Sequence, residues 1–306
     1  MVRRVAVVGA ASSIGIRPYD DGTVRQLHLA PETLREQGLI GHLAARDHGD
    51  VVPPLYVDFV RPGKRPRNES GVVRYSHALA QRVADAGADG SFVLVLGGDC
   101  SILLGCLLGV QARDGERAGL VYVDGHTDFA TPEESVTGSV AAMCTAFAVG
   151  RGDSPLARLA GDAPLVREAD VVLIGRRDQA HGAIYGQAAL GASAILDLPH
   201  TAVREQGPDE TARTALAHLA RSGVRRFWIH VDADVLDPSV MPAVDSPEPN
   251  GMSVDELIQL VRPLVADPRA AGLELTIYDP HFDPDRECAT ILTSLLERTL
   301  APGSTS

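Results

Sequence analysis

Apolar residues gather in short, nearly unbroken runs, and these alternate with stretches whose apolar positions recur every three to four residues. The runs predict strands at Val5–Val8, Phe92–Leu96, Leu120–Val123, Val171–Ile174, Ala194–Leu196, Phe227–Val231 and Gly272–Ile277. The helical periodicity predicts helices at Pro31–Ala45, Ser76–Ala86, Ser101–Ala112, Glu210–Ser222, Ser253–Val265 and Thr290–Leu300. Strands that are apolar throughout, rather than alternating, are those covered by helices on both faces. Strand–helix alternation over the whole length therefore predicts an α/β sandwich around a mostly parallel sheet. Two stretches are loop-like, Arg61–Gly71 with Pro62, Gly63 and Pro66, and Pro238–Gly251. Neither is long enough to divide the chain, so residues 1–306 read as a single domain. In such sheets chemistry sits beyond the carboxyl ends of the strands.

Composition narrows the class. With 45% hydrophobic and 22% charged residues the chain is globular, which excludes disordered and coiled-coil proteins. The apolar stretch after Arg3 and Arg4 is too brief for a signal peptide, and no run approaches the roughly 20 residues of a membrane span. A soluble, cytoplasmic protein is expected, with no membrane partner. Lys+Arg 28 against Asp+Glu 40 gives 28 − 40 = −12. So acidic a chain gains nothing from releasing counterions of a polyphosphate, which argues against nucleic acid and for a small-molecule substrate. Cys100, Cys106, Cys144 and Cys288 form no Cys-x-x-Cys pair, so neither a disulfide scaffold nor a zinc ribbon is indicated.

The strand ends carry the chemistry. After the first strand, Gly9-Ala10-Ala11-Ser12-Ser13-Ile14-Gly15 nearly spells the phosphate loop of short-chain dehydrogenases, with Ser13 where the middle glycine belongs. Those enzymes also need a tyrosine followed four residues later by a lysine. Lys64 is the sole lysine and follows no such tyrosine, which sets the dinucleotide reading aside. Later strands end in Gly97-Gly98-Asp99-Cys100-Ser101, in Asp124-Gly125-His126-Thr127-Asp128 and in His230-Val231-Asp232-Ala233-Asp234. In extended chain, residues two apart share a face, so Asp124, His126 and Asp128 point together, as do Asp232 and Asp234. One such cluster could be a turn cap; two, with a polar turn between them, are hard to explain that way. Converging carboxylates repel one another unless cations are present. Two divalent ions about 3.5–4 Å apart resolve the repulsion, and oxygen-rich ligation with one imidazole favours Mn²⁺.

These motifs resemble those of the arginase, or ureohydrolase, family: Gly-Gly-Asp-His-Ser, Asp-Ala-His-x-Asp and [Ser/His]-x-Asp-x-Asp-x-x-Asp-Pro. Here they stand as Gly97–Ser101, Asp124–Asp128 and His230–Pro238, in that order. The likeness extends from the Ala30–Leu39 region to Gly272-Leu273-Glu274. It implies a three-layer α/β/α sandwich with about eight strands, two Mn²⁺ ions and a bridging hydroxide that attacks a guanidinium or formimino carbon. Carried over by position, Cys100, Asp124 and Asp128 bind one ion, His126 and Asp234 the other, and Asp124 and Asp232 bridge them. Asp128 is also the catalytic residue, holding the hydroxide by hydrogen bond. Trimers or hexamers are implied as well.

Several positions depart from the family pattern. Cys100 replaces a histidine ligand; as a thiolate it would soften the site and could admit Zn²⁺ or Fe²⁺. The branch that hydrolyses Nω-hydroxyarginine resembles this chain there. Ala130 and Ala141 stand where an asparagine and a proton-shuttling histidine belong, although Thr137 could still donate one bond. Ala180 and Ala183 replace acidic substrate contacts, and Ile277 replaces the glutamate that grips guanidinium. A buried cation without a carboxylate partner costs several kcal/mol, so free arginine is not the expected substrate. His181, His230 and Tyr278 are residues that could stand in for the missing polar groups. The expectation is a metal-dependent hydrolase of a linear C–N bond in a guanidino or amidino compound, releasing urea or a urea-like product. The rival is a catalytically silent metal-binding protein.

Overall fold

The computed structural model describes residues 4–57, 64–178 and 186–301. Their elements run β1 (Val5–Ala10), α1 (Ala30–Glu36), α2 (Leu39–His42), β2 (Arg46–Val51), α3 (Glu69–Ala86), β3 (Phe92–Leu96), α4 (Ile102–Asp114) and β4 (Gly119–Val123). They continue with α5 (Cys144–Ala148), β5 (Val171–Ile174), α6 (Gln187–Gly191), β6 (Leu196–Leu198), α7 (His200–Gln206), α8 (Pro208–Arg221), β7 (Phe227–Asp232), α9 (Val254–Ala266), β8 (Ala270–Thr276) and α10 (Glu287–Leu300). The strands form one eight-stranded sheet in the order β2-β1-β3-β8-β7-β4-β5-β6. Every pairing is parallel, which bears out the expected sandwich.

Helices cover both faces. On one, α3 packs along α4, with α3 over β1 and β2 and α4 over β7 and β8; elsewhere α8, α9, α10 and α1 pack successively against one another. The central strands β3, β8, β7 and β4 are buried along their whole length. Trp228, Tyr122, Phe92 and Phe227 are among the largest fully buried side chains. Each such side chain contributes about 1.5–3 kcal/mol of transfer free energy.

The departures from expectation have local causes. β2 reads Arg-Asp-His-Gly-Asp-Val and is largely exposed, so an apolar-run criterion passes over it. It is an edge strand, paired on one side to β1 and tied down by Arg35, whose Nε lies 2.9 Å from Asp47 and whose Nη1 lies 2.6 Å from Asp50. The helix expected over Pro31–Ala45 breaks in two at Gly38, where φ is +84°, and stops at His42. α3 begins at Glu69, inside the loop expected at Arg61–Gly71, whose first residues lie outside the described ones. The strand expected at Ala194–Leu196 forms instead at Leu196–Leu198. No helix among the described residues is long and apolar enough to cross a membrane.

Candidate metal centre

The carboxyl ends of β3, β8, β7 and β4 lie side by side; β3, β7 and β4 deliver polar turns to the same place, and β8 delivers Ile277. Beyond β3, the buried Asp99 accepts the backbone N–H groups of Gly15 and Ser101, each at 3.0 Å, and so fixes the turn that presents Cys100. A Cβ on Gly98 would collide with the Ser12 carbonyl, and one on Gly15 with the Asp99 carboxylate. The glycine-rich turn after β1 thus serves close packing against the Cys100 turn. Beyond β4 come Asp124, His126 and Asp128, while Asp232 ends β7 and Asp234 follows in the turn after it; all are buried.

Their ligating atoms fall into two groups that share Asp124. Cys100, Asp124, His230 and Asp232 form one, and Asp124, His126 and Asp234 the other, with donor atoms within 4.8 Å of one another in each. Cys100 Sγ donates to Asp232 Oδ2 at 3.0 Å. His126 Nδ1 lies 3.0 Å from Asp234 Oδ2 and 3.6 Å from Asp124 Oδ1.

A second layer of contacts holds these groups. Tyr122 donates its hydroxyl to Asp128 Oδ2 at 2.5 Å. Asp178, fully buried, accepts both the N–H (2.9 Å) and the hydroxyl (2.8 Å) of Thr127. Arg177 donates to the carbonyls of Asp234 and Val235 at 2.7 and 3.0 Å, while its own N–H reaches the Gly125 carbonyl, locking the two carboxylate turns together. Asp128 and Ile277 sit in the left-handed region, with φ of +47° and +64°. For a β-branched residue such as Ile277 that conformation is strained, and strained residues of this kind cluster at functional sites.

The electrostatics favour divalent cations at this place. Burial and neighbouring carboxylates push Asp128, Asp232 and Asp234 above the ordinary carboxylate range. Asp124 is also penalised by burial, but hydrogen bonding and charge from His126 and His230 more than offset this and hold it low. His126 is raised well above its ordinary value, because Asp234 and Asp124 outweigh the burial that would lower it. His230 is likewise lowered by burial yet held up to about 10 by Asp124 and Glu274. Asp124 Oδ2 is buried without a hydrogen-bond partner. Protons are then a poor substitute for divalent ions, and a donor set of one thiol, two imidazoles and three carboxylates fits a pair of them. Asp128, expected as a ligand beside Cys100, falls in neither group; His230 takes that place.

The centre forms the floor of a cleft of about 180 Å³. Thr137 and Ile277 line it, as do Ala141, Ser139 and Asp245. Tyr278 is not brought there: it is buried, and its hydroxyl donates to Asp283 at 2.7 Å beside the start of α10. His181, with Ala180 and Ala183, lies outside the described residues. The cleft also receives Arg17 and Arg25 from the loop after β1. Arg25 is buried, pairs with Asp245 and lies 4.0 Å over the Tyr19 ring. Arg17 is partly exposed and lies 2.6 Å from the surface residue Asp20.

The sequence profile of the arginase family matches residues 4–301. The chain belongs to the arginase family. It is 27% identical to arginase-1 of Homo sapiens over 304 residues, 96% of this chain and 91% of that protein. To the arginase of Bacillus caldovelox it is 29% identical over 294 residues, covering 93% of this chain and 96% of the relative. The solved structure of that Bacillus caldovelox arginase superposes with a TM-score of 0.86 at 26% identity, over 99% of this chain and all (100%) of the other. The formimidoylglutamase of Bacillus subtilis shares the fold at a TM-score of 0.73 and 20% identity, over 98% and 86% of the two chains.

Membership of the arginase family, which depends on two metal ions, supports a metal-dependent hydrolase acting on C–N bonds. Within the family frame, sequence reasoning passed over Tyr122, Asp178, Arg177, Arg17 and Arg25. Tyr122 alone left a signal, because it is two residues before Asp124 and so shares its face. The arginines come from loops whose spacing predicts nothing.

Proposed function

We propose that this arginase-family chain is a two-ion hydrolase of a linear amidino or formimino compound other than free arginine, releasing urea or a urea-like product from an amidino group and formamide from a formimino group. The observation that carries this reading is the cleft itself. Its floor gathers carboxylates around Asp124, while Ile277 supplies an apolar wall and Arg17 a cation at the mouth. Such a cleft favours an amidino group of lowered basicity attached to an anionic remainder, since Asp245, the lining carboxylate away from the floor, is already paired with Arg25. Mn²⁺ is the ion suited to the carboxylates around His126. When bound, the ions supply the nucleophile by lowering the pKa of water to near neutrality.

The chain's own residues do the rest. Asp124 spans the two donor groups, and Asp232 belongs to the one around Cys100. Asp128, held from behind by Tyr122, accepts the hydrogen bond of the attacking nucleophile with its free oxygen. Thr137 donates to the substrate at the cleft wall. With Ala141 in place of an imidazole, the proton that Asp128 takes from the nucleophile is the one it passes to the departing amine.

The test is reconstitution with Mn²⁺ and incubation with a panel of arginine, Nω-hydroxyarginine, agmatine, guanidino acids and formiminoglutamate, following urea, hydroxyurea and formamide. Turnover of an anionic, weakly basic member, abolished in Asp128→Ala with the fold intact, is expected. Two ions bound with no turnover would favour the silent metal-binding protein, and equal turnover in the Asp128 variant would remove the assigned catalytic residue. We further propose a cytoplasmic trimer or hexamer, which light scattering would check.

A further inference from the structure

We propose that His230 is a direct ligand of the ion held by Cys100, and that this thiolate–imidazole pocket selects Zn²⁺ while the carboxylate pocket around His126 takes Mn²⁺. The inference rests on the two-ion reading above and adds a ligand and a metal identity to it. The histidine missing from the Gly97–Ser101 turn is supplied instead by β7, from the adjoining part of the sheet.

Three observations prepare His230 for this role. Its Nδ1 lies 2.7 Å from Oε1 of Glu274, a carboxylate with no solvent exposure on β8. A carboxylate on one ring nitrogen fixes the tautomer and leaves the other nitrogen's lone pair for a metal, the usual arrangement behind a ligating histidine. The ring also stacks on Tyr122, with centroids 4.1 Å apart and planes 5° from parallel, so its direction is fixed.

The remaining nitrogen makes only long approaches. Nε2 lies 3.7 Å from Asp124 Oδ2 and 3.4 Å from Thr276 Oγ1. Ordinary N–H···O bonds span about 2.7–3.2 Å. Two ligand atoms each roughly 2.1 Å from a tetrahedral ion are about 3.4 Å apart, so the spacing suits a shared ion better than a shared proton. The facing oxygen, Asp124 Oδ2, is the buried one without a hydrogen-bond partner. The pocket then offers one sulfur, one nitrogen and two carboxylate oxygens from Cys100, His230, Asp124 and Asp232. Thiolate and imidazole suit Zn²⁺, whereas a carboxylate set with one imidazole suits Mn²⁺.

The full chain, stripped with chelator, is offered equimolar Zn²⁺ and Mn²⁺, and bound metals are measured by elemental analysis. A parallel sample is loaded with Co²⁺ to read the sulfur-to-cobalt charge-transfer band and the intensity of the visible bands. We expect one Zn²⁺ and one Mn²⁺ per chain, with spectra of a thiolate-bound, four-coordinate Co²⁺. His230→Gln should lose Zn²⁺, keep Mn²⁺ and weaken the visible bands. Glu274→Gln should lower Zn²⁺ affinity about 10- to 100-fold without changing Mn²⁺. Circular dichroism checks folding, and Glu274→Gln decides the matter where His230→Gln does not fold. Unchanged Zn²⁺ retention and spectra in the folded variants would overturn the ligand assignment while leaving the two-ion reading standing. Mn²⁺ in both pockets of the parent would overturn the selectivity, and no bound ion at all would overturn both readings.

Discussion

Tyr122→Phe removes one hydroxyl from the centre, where it donates to Asp128 and also meets Cys144 Sγ at 3.3 Å. The phenylalanine ring keeps the stack on His230 and the pairing of β4, and it removes one oxygen from a fully buried position. That oxygen donates to Asp128 Oδ2 at 2.5 Å. With Asp128 pushed towards protonation in the metal-free protein, this hydrogen bond contributes about 0.5–1.5 kcal/mol, roughly two- to tenfold in the folding equilibrium. Asp128 leans on it, because a non-glycine residue in the left-handed region costs about 1–3 kcal/mol and persists only where its surroundings hold it. Metal-free Tyr122→Phe should therefore unfold at lower urea by that free energy, with an unchanged slope. The sign of the pH effect also follows. Burial and Asp124 already raise the Asp128 carboxyl, and the Tyr122 bond opposes them by favouring the ionised form. Without it the carboxyl rises further, so the limb of the pH–rate profile that needs ionised Asp128 should move to higher pH. An unfolding midpoint and a pH profile both equal to the parent's would refute the reasoning.

Three other outcomes are expected. Ile277→Glu places a carboxylate on the apolar wall, and turnover of cationic guanidino compounds such as arginine and agmatine should rise at least about tenfold, the worth of one hydrogen bond to a charge. Arg17→Ala should raise KM for anionic members of the panel by about tenfold on the same grounds, leaving kcat and the urea midpoint unchanged; equal KM values for anionic and neutral members in the parent would contradict it. Ser253→Ala removes a capping box in which Ser253 and Glu256 each satisfy the other's backbone N–H at the start of α9. The expected cost is about 1 kcal/mol, read by urea unfolding, with metal content unaffected.

Much of the fold was legible because its strands are buried on both faces and so stand out as apolar runs. β2 was not, since an edge strand that shows Arg46, Asp47 and Asp50 to solvent carries no such signature. Gly38 ended α1 where periodicity alone continued it. At the site, the alternation Asp124-x-His126-x-Asp128 and Asp232-x-Asp234 announced itself, because period two in an extended chain translates directly into a shared face. What joins those turns was hidden. Glu274 and Tyr122 lie within strands that read as core, and their polar atoms acquire meaning only when β8, β7 and β4 are placed side by side. Tyr278 drew attention as a polar group near the site, yet it turns towards Asp283 because its neighbour Ile277 takes the inward position.

The strand order has a consequence for how the protein is made. β3 and β4 are close in the chain but are not neighbours in the sheet; β8 and β7 lie between them. A ribosome that has passed Asp128 has already produced Cys100 and Asp124, yet the two strands that must bring them together are still to be synthesised. Until residues 227–276 are made, β3 and β4 lack the two strands that join them in the sheet. Contacts of such long sequence separation close late and slowly. Both donor groups draw on Asp232 or Asp234, so neither is complete before β7 has been made.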